Sequence, residues 1–482
     1  MSTLPTRCRI LAAPRSSSPE LVNDVHAAMN ATRVARVCAP RSTDEVAALL
    51  AATHADGESV AVCGGRHAMG GQQFASGALL IDMSEMDRVE SVDADRGLVR
   101  AQAGVRWPEL IRDSLALQGE RPRWGIRQKQ TGADRLSLGG AIAANVHGRG
   151  LDRPPFVADV ESMTVVRADG TTVRCDRLTN PDLFALVCGG YGLFGIVTEA
   201  TIRLAPRTKV VRRVRLIDAD ALVPEFESRL RAGCTFGDFQ FAIDATSDEF
   251  LRRGVFSCYE PTPDATPIPV DQRRFRREDW LRLLELAHTD KSRGFRLYAE
   301  HYLATDGQVY WSDLHQLADY LDGYHAELDR RMGAVCPGTE MISELYVPRA
   351  RLPAFLDDAR TDLRDRRADV IYGTIRLIRR DDESYLAWAR DDWACVVLNL
   401  HVPHTPRGIE RARACFRSLI DIAVAHTGSY YLTYHRWATR DQALACHPRL
   451  PEFLRRKQAH DPRGVLASDW WRHHESLLEG AA

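Results

Sequence analysis

The spacing of apolar residues changes along this chain, so that segments with the period of a strand alternate with segments with the period of a helix. The run VARVCAP (34–40) predicts a strand, and EVAALLAATHA (45–55) repeats its apolar residues at helical spacing. Ser42 or Thr43 caps this helix, and acidic residues occupy its first turn. Further short strands and a second helix follow, separated by glycine-rich turns. The first part of the chain therefore predicts a compact β/α unit.

A second block completes this unit and ends at Pro206. It predicts a hairpin around Asp169–Gly170, a short helix, a glycine turn and a last strand. Beyond Pro206 aromatic residues are more frequent and helical stretches are longer, which indicates a separate domain. Near the C-terminus, SYYLTYHRW (429–437) predicts a strand and PEFLRRKQAHD (451–461) predicts a helix.

The predicted fold class is α+β, with two cored domains, which a chain of 482 residues is long enough to form. We see no internal repeat and no low-complexity tract. The predicted division is an N-terminal arm with one short helix (1–33), a first domain (34–206), a second domain (207–424) and a C-terminal segment (425–482).

Charge and cysteine usage exclude several functional classes. The 64 basic and 65 acidic residues give a net charge of −1, so no overall field attracts nucleic acid or an anionic membrane. The 11 cysteines are scattered without a CxxC pair, which predicts neither a disulfide framework nor a zinc knuckle. A reducing, cytoplasmic setting is expected. The N-terminus lacks the apolar region of a signal peptide, and the apolar stretch Leu136–Val146 is too short to span a membrane.

Three glycine clusters carry the candidate chemistry. GGRHAMGG (64–71) follows a predicted strand, and LSLGGAIAANVHGRG (136–150) is small and apolar. Glycine-rich turns let backbone N–H groups converge on a phosphate, and slender backbone lets a bulky ligand approach closely. Taken singly, the first cluster also fits an ordinary connection between strands, and the second also fits tight packing.

The third cluster contains G-x-G-x-x-G at Gly190, Gly192 and Gly195. A Rossmann nicotinamide site needs a strand before this motif and a helix after it. Here the predicted helix precedes the motif and the predicted strand follows it, so we reject NAD binding. Metal binding is also not expected: His401 and His404 form H-x-x-H, but no ligand cluster in the sequence completes it.

In order and spacing the three clusters resemble the FAD-binding module of the vanillyl-alcohol oxidase superfamily, the p-cresol methylhydroxylase type. The C-terminal segment FLRRKQAHDPRGVLASDWWR (453–472) resembles the closing segment of sugar and alditol oxidases, which returns to the FAD domain. The chain is also similar to the oxidase subunit of decaprenylphosphoryl-ribose epimerase. The resemblance implies that residues 34–206 bind FAD and that residues 207–424 form a substrate, or cap, domain.

Carried over position by position, the resemblance implies a set of FAD contacts. His67 falls where covalent members hold the histidine that bonds the flavin C8α-methyl group, whereas the decaprenylphosphoryl enzyme has serine there. No cysteine near Gly132 offers a second flavin bond. The implied cofactor-binding residues are Gly64, Gly65, Arg66, His67, Ala68, Met69, Gly70, Gly132, Ser137, Gly139, Gly140, Asn145, Val146, His147, Gly148, Gly195, Ile196 and Val197.

In the second domain the resemblance implies catalytic roles for four side chains. SELYVP (343–348) resembles the strand that faces the flavin ring, which places Glu344 there, and Arg376 keeps an arginine of the alditol-oxidase strand. Thr374 stands where that strand has glutamate, and Tyr434 stands where the decaprenylphosphoryl enzyme has lysine. Both departures count against the alditol and decaprenylphosphoryl substrates.

The implied mechanism is hydride transfer from a CH–OH group of a small sugar-, polyol- or secondary-metabolite-like substrate to flavin N5. Tyr434 or Glu344 takes or relays the hydroxyl proton, His435 assists, and Arg376 holds substrate or flavin oxygens. The electron acceptor is oxygen or another molecule. Val146, larger than the small residue that controls oxygen access in related aldonolactone enzymes, favours a dehydrogenase. Two alternatives stay open: a flavin enzyme acting on C–N or C–C bonds, and a non-catalytic flavin-binding protein.

Overall fold

The computed structural model of this chain describes residues 19–318, 321 and 323–479. Helices and strands alternate through the chain, and the predicted α+β class is confirmed. The elements up to Pro206, in chain order, are β1 (Glu20–Val22), β2 (Thr32–Val34), β3 (Arg36–Cys38), α1 (Thr43–Asp56), β4 (Val60–Cys63), β5 (Leu79–Asp82), β6 (Val89–Asp93), β7 (Leu98–Gln102), α2 (Trp107–Ala116), β8 (Trp124–Ile126), α3 (Leu138–Ala144), β9 (Val160–Val166), β10 (Thr172–Asp176), α4 (Pro181–Val187) and β11 (Ile196–Pro206).

The elements after Pro206 build a second sheet system and the C-terminal segment. In chain order they are β12 (Lys209–Asp218), α5 (Leu222–Arg231), β13 (Phe236–Phe241), β14 (Arg253–Thr262), α6 (Arg277–Thr289), α7 (Lys291–Leu303), β15 (Val309–Trp311), α8 (Tyr324–Met332), β16 (Gly338–Pro348), α9 (Leu352–Asp365), β17 (Val370–Ile378), β18 (Trp393–Pro403), α10 (Pro406–Ala425), β19 (Ser429–Tyr430), α11 (Arg440–Cys446), α12 (Leu450–His460) and α13 (Asp469–Glu479).

Two sheets form the N-terminal part. β3, β5 and β4 pair in parallel in that order, with α1 as a crossover, and their apolar residues are mostly buried. The second sheet is antiparallel, in the order β10-β9-β11-β7-β6, and β8 pairs with the end of β11. The predicted start of α1 is confirmed, because the Ser42 hydroxyl accepts from the Glu45 N–H. Gly57 ends that helix at a φ of 72°.

An eight-stranded antiparallel sheet forms the second part, in the order β15-β12-β14-β13-β17-β18-β16-β19. Its register places alternate residues of the central strands on one face. Glu344 lies opposite Val397, and Arg376 lies opposite Cys395. This face is turned toward the N-terminal part and carries the polar residues discussed below.

The C-terminal segment packs on the N-terminal sheets. The Val60 N–H donates to the Val465 carbonyl at 2.6 Å, and the Asp469 N–H donates to the Phe74 carbonyl at 2.7 Å. The Trp470 ring lies 4.8 Å from the Tyr191 ring. These contacts support the proposed return of residues 425–482 to the first domain, while the predicted domain limits remain a proposal.

The predicted strand 429–437 is wrong in part. Only Ser429 and Tyr430 of the predicted strand 429–437 pair in a sheet, after which the chain turns. In the N-terminal arm, residues 19–33 contain the hairpin of β1 and β2. The short helix predicted for this arm stays a prediction, because residues 1–18 lie outside the described part. Both segments matter for the site, because each brings a side chain to it.

Candidate active site

A cavity of about 760 Å³ separates the N-terminal sheets from the large sheet. Its N-terminal wall comes from the three glycine clusters, and its other wall comes from the polar face of β13, β16, β17 and β18. Cavities of several hundred Å³ with convergent polar groups are typical of cofactor and substrate sites.

The first glycine cluster forms a turn at the end of β4, and its first two residues have no room for a side chain. A Cβ added to Gly64 would lie 2.1 Å from the Ser137 Oγ, and one added to Gly65 would lie 2.3 Å from the Arg135 carbonyl oxygen. Arg66 holds a left-handed φ of 57° and pairs with Asp82 at 2.9 Å. The turn therefore presents bare backbone to the cavity at Gly64 and Gly65, followed by the side chains of Arg66 and His67.

His67 lies at the lip of this turn and lines the cavity. Its Nδ1 is 2.9 Å from His26 Nε2, so one of the two nitrogens donates to the other. Burial, together with the nearby His26, lowers the pKa of His67 to about 3. His67 is therefore a neutral imidazole at physiological pH, which is the form that has a nitrogen lone pair to offer.

The second glycine cluster forms the short helix α3. The Ser137 hydroxyl caps it by accepting from the Gly140 N–H at 3.3 Å. A Cβ on Gly139 would lie 2.9 Å from the Ala103 Cβ, so the helix packs flat on the sheet. Asn145 ends α3 at a φ of 48°. The third cluster follows α4, where Gly195 takes a φ of 148° before β11 begins, and the predicted order of helix, turn and strand is confirmed.

Most of the predicted cofactor residues line the cavity. They are Gly64, Gly65, Arg66, His67, Ala68, Met69, Gly132, Ser137, Gly139, Gly140, Val146, His147, Gly195, Ile196 and Val197. The structure places Gly70, Asn145 and Gly148 behind the wall. A Cβ on Gly70 would meet the Tyr434 carbonyl at 2.4 Å, and one on Gly148 would meet the Lys129 carbonyl at 2.4 Å.

Opposite these turns, four side chains donate hydrogen bonds to Glu344, which is buried in the middle of β16. We call this group the Glu344 cluster. His147 Nε2 donates to Oε1 at 2.6 Å, and the Tyr434 hydroxyl donates to Oε2 at 2.9 Å. The Tyr346 hydroxyl and the Cys395 thiol also donate to Oε1. The cluster joins the second glycine segment to β16, β18 and the turn after β19.

The electrostatics of the cluster keep Glu344 ionised. Burial alone would raise its pKa, but His147, the Tyr346 hydrogen bond and Arg376 together lower the pKa to about 2. Burial and the Glu344 charge raise the pKa of Tyr434 well above its usual value. Tyr434 is therefore a neutral phenol that donates its proton to Glu344 and keeps oxygen lone pairs for another partner.

Of the four predicted catalytic residues, Glu344, Tyr434 and Arg376 line one cavity. Arg376 is buried, and its Nε has no hydrogen-bond partner within the described part of the chain. His435 does not line the cavity: its ring stacks on Trp437, at 4.2 Å between centroids. The turn that follows β19 thus turns Tyr434 toward the cavity and its neighbour His435 away from it.

Several site residues were missed by the sequence analysis. His26 reaches the site because Asp24 organises the β1–β2 loop by accepting the Ala27 N–H at 2.6 Å, and no sequence pattern signals this. Lys129 is fully buried beside Asp134 at 2.5 Å and lies under the second segment. Tyr346 lies on the same face of β16 as Glu344, two residues further along the strand. Because side chains two residues apart on a strand share a face, the sequence could have indicated that Tyr346 is a neighbour of Glu344.

The site fits the predicted FAD. Gly64, Gly65 and Gly139 line the cavity and have no side chain, so a flat ring system and a pyrophosphate can approach their backbone closely. These residues and Arg66 would hold FAD, and His67 would face its ring edge.

Comparison with known proteins agrees with this geometry. Residues 34–176 match the family model of the FAD binding domain. The predicted resemblance to FAD-binding modules of the p-cresol methylhydroxylase type is thereby confirmed.

The relatives are oxidoreductases by name. An uncharacterized oxidoreductase of the fasciation locus of Rhodococcoides fascians is 33% identical over 180 residues, covering 37% of this chain and 40% of that protein. Cytokinin dehydrogenase 1 of Oryza sativa subsp. japonica is 34% identical over 196 residues, covering 39% of this chain and 35% of that protein. The chain thus spans less than half the length of these relatives.

A third relative is matched over more of the chain. L-galactono-1,4-lactone dehydrogenase 2, mitochondrial, of Oryza sativa subsp. japonica is 26% identical over 410 residues, covering 77% of this chain and 64% of that protein. A match of this extent cannot be confined to the FAD-binding domain. No helix of the described residues has the length and apolar character that a membrane crossing needs.

Proposed function

We propose that this chain, which carries an FAD-binding domain of the p-cresol methylhydroxylase type, is an FAD-dependent oxidoreductase acting on a CH–OH group. Its substrate is a small sugar-, polyol- or secondary-metabolite-like molecule. The observation that carries the proposal is the Glu344 cluster, an ionised carboxylate with a bound phenol, placed on the cavity wall opposite the FAD cradle.

Oxidation of a CH–OH group removes one hydride and one proton. FAD supplies the hydride acceptor when it is bound. The protein must take the hydroxyl proton, and Tyr434 has the right arrangement for this. Its oxygen can accept the substrate O–H while its own proton moves to Glu344 Oε2, 2.9 Å away. Because the pKa of Tyr434 is raised, the phenol relays the proton and does not hold a negative charge.

The other wall residues orient the substrate. Arg376 lies among the cavity-lining residues, and no described residue accepts a hydrogen bond from its Nε, so it would donate to substrate or flavin oxygens. His147 is fixed by its bond to Glu344, which holds the second glycine segment at a set distance from β16. The cavity is thereby shaped before a substrate enters.

Covalent attachment of FAD through His67 is part of this proposal. A neutral imidazole is the form that can bond a flavin methyl carbon, and the low pKa of His67 keeps it neutral. His26 Nε2 lies 2.9 Å from His67 Nδ1, so His26 can exchange a proton with the His67 ring and fix the orientation of that ring.

Two features bear on the acceptor and the location. Val146 lines the cavity and is branched, which supports a slow reaction with oxygen and the use of another electron acceptor.

The cysteines of the described residues are all free, which supports the cytoplasm as the compartment.

A C–N substrate is the second candidate, because cytokinin dehydrogenases are among the relatives. Those matches cover under half of this chain, whereas the lactone dehydrogenase match must include part of the large sheet. The wider match supports the CH–OH donor.

An anaerobic substrate panel tests the proposal. The FAD-loaded protein is mixed with polyols, sugars, aldonolactones and amines, and loss of the visible flavin absorbance is followed. We expect bleaching by one or more CH–OH donors, with a carbonyl product. Bleaching by amines alone would contradict the CH–OH donor and indicate oxidation of a C–N bond. A flavin that dithionite reduces but no donor bleaches would indicate a non-catalytic flavin-binding protein.

A further inference from the structure

A second group of titratable side chains lies at the edge of the flavin cavity and takes no part in the proposed oxidation. His288 of α6, Glu340 of β16 and His401 of β18 turn one ligand atom each to within 4.8 Å of one another. We call them the histidine–carboxylate cluster. The His288 and His401 rings meet edge to face, with 4.7 Å between centroids.

The sheet register builds this cluster. Glu340 and His401 are direct partners on adjacent antiparallel strands, so their side chains emerge on the same face. Gly338, two residues before Glu340, leaves room for the imidazole, since a Cβ there would lie 2.3 Å from the His401 Cε1. His288, in the last turn of α6, covers the pair.

The cluster is under-satisfied in hydrogen bonds. Glu340 Oε1 and His288 Nε2 are buried and have no hydrogen-bond partner among the residues that the structure describes. Glu340 Oε2 accepts from the Tyr324 hydroxyl. The nearby Lys291 pairs with Asp369 at 2.8 Å instead of with Glu340. A buried carboxylate that lacks a cationic partner is costly unless a proton or a metal ion neutralises it.

We propose that the histidine–carboxylate cluster binds one divalent transition-metal ion of the Zn²⁺ class, with His325 as a fourth ligand. Two imidazoles and a carboxylate are a donor set that Zn²⁺ accepts in proteins. His325 Nε2 lies 3.6 Å from Glu340 Oε2, on the cavity side. Zn²⁺ needs its ligand atoms about 3.4 Å apart, so the ligand atoms of His288, Glu340 and His401, which lie within 4.8 Å of one another, must each shift by about 1 Å. His325 lies outside this group and must move further to join it.

Protonation states favour this assignment. Metal ligands must be unprotonated imidazoles and a carboxylate. Burial, together with His401, lowers the pKa of His288 to about 4, and burial lowers the pKa of His325 to about 4. Burial raises the pKa of Glu340 to about 8, so metal binding would displace a proton from it. Asp329 and Asp369 nearby favour a cation, and Lys291 opposes it.

The metal would tie α6 and α8 to the sheet. These helices are otherwise linked by ion pairs such as Arg331–Glu278 and Arg277–Glu327, in which at least one partner is exposed and which contribute little. α6 also supplies Trp280 and Leu284 to the cavity wall. The ion would therefore set the position of this wall.

Zinc binding to the FAD-loaded protein tests the proposal. The protein, free of any histidine tag, is dialysed against a chelator and titrated with Zn²⁺ in a calorimeter. We expect one tight equivalent. His288→Gln and His401→Gln should weaken it by about 100-fold or more, since even indirect partners of a metal commonly matter by about 10- to 100-fold. His404→Gln is the matched control, because His404 Nε2 is bonded to Thr339 at 2.8 Å and lies outside the cluster.

An X-ray absorption spectrum of the wild-type zinc complex is independent of whether the variants fold. Nitrogen and oxygen neighbours at about 2.0–2.1 Å alone are expected. A sulfur neighbour at about 2.3 Å would place the ion beside Cys395, His147 and Glu344 and overturn the proposal. Absence of tight uptake by the wild type, or equal loss in His404→Gln and His401→Gln, would overturn it as well.

Discussion

Tyr434→Phe is expected to slow flavin reduction by about 10²- to 10⁴-fold, the usual contribution of a positioned proton-transfer group. Removing the hydroxyl leaves the substrate O–H without its acceptor and Glu344 Oε2 without its donor. Substrate affinity should change little, because the phenyl ring still fills its place. Anaerobic stopped-flow measurement of the reduction rate over a range of substrate concentrations separates the rate from the affinity.

Tyr346→Phe is the matched control for this prediction. Its hydroxyl also donates to Glu344, but to Oε1, and the side chain does not line the cavity. We expect a much smaller decrease in its reduction rate. If both variants lose activity equally, Tyr434 acts only by positioning Glu344, and the proton-relay role is wrong.

Gly64→Val is expected to weaken FAD binding by about 10- to 100-fold. A Cβ at this position would lie 2.1 Å from the Ser137 Oγ, so the first and second glycine segments must move apart. Overpacking of this kind costs about 1–3 kcal/mol, which corresponds to the stated loss of affinity. The dissociation constant can be measured by reconstitution in a His67→Ala background, where the flavin can exchange.

Gly408→Ala provides the comparison for the glycine variant. Its added Cβ would lie 2.2 Å from the Pro403 carbonyl oxygen at the start of α10, and Gly408 does not line the cavity. It should lower the melting temperature and leave the FAD affinity of the folded protein unchanged. An unaltered FAD affinity in Gly64→Val would remove this turn from the cofactor site.

The cavity wall formed by the three glycine clusters could be predicted from the sequence, because a glycine indicates a local requirement of the backbone. Gly64 and Gly139 accept no Cβ, and Gly195 takes a φ of 148°, so their residue type records the local backbone requirement. The start of a helix also depends on residues close in sequence, as the Ser42 cap of α1 shows. Such features need no knowledge of distant contacts.

The substrate half depends on contacts between residues far apart in sequence. Glu344 is bonded to His147, 197 residues away, and to Tyr434, 90 residues away. The resemblance placed Glu344 and Tyr434 near the flavin, but it predicted neither their hydrogen bond nor the bond to His147. Likewise, His401 gains its neighbours His288 and Glu340 only through strand pairing and helix packing, so H-x-x-H alone did not indicate the cluster.

The prediction of a strand over residues 429–437 is wrong in part for a related reason. Its alternating aromatic residues fit a strand by pattern, but the Tyr431 N–H donates to the Glu344 carbonyl and the chain then turns. Tertiary contacts of the buried tyrosines therefore outweigh the local strand preference.

We propose above that the cavity holds FAD bonded to His67. The most direct test is to precipitate the purified yellow protein with acid and to compare the flavin in the pellet with that in the supernatant, for the wild type and for His67→Ala. We expect the wild-type pellet to stay yellow and the flavin of His67→Ala to enter the supernatant. Release of the flavin from both proteins would contradict the covalent bond, and a colourless protein that takes up no added FAD would contradict the cofactor assignment itself.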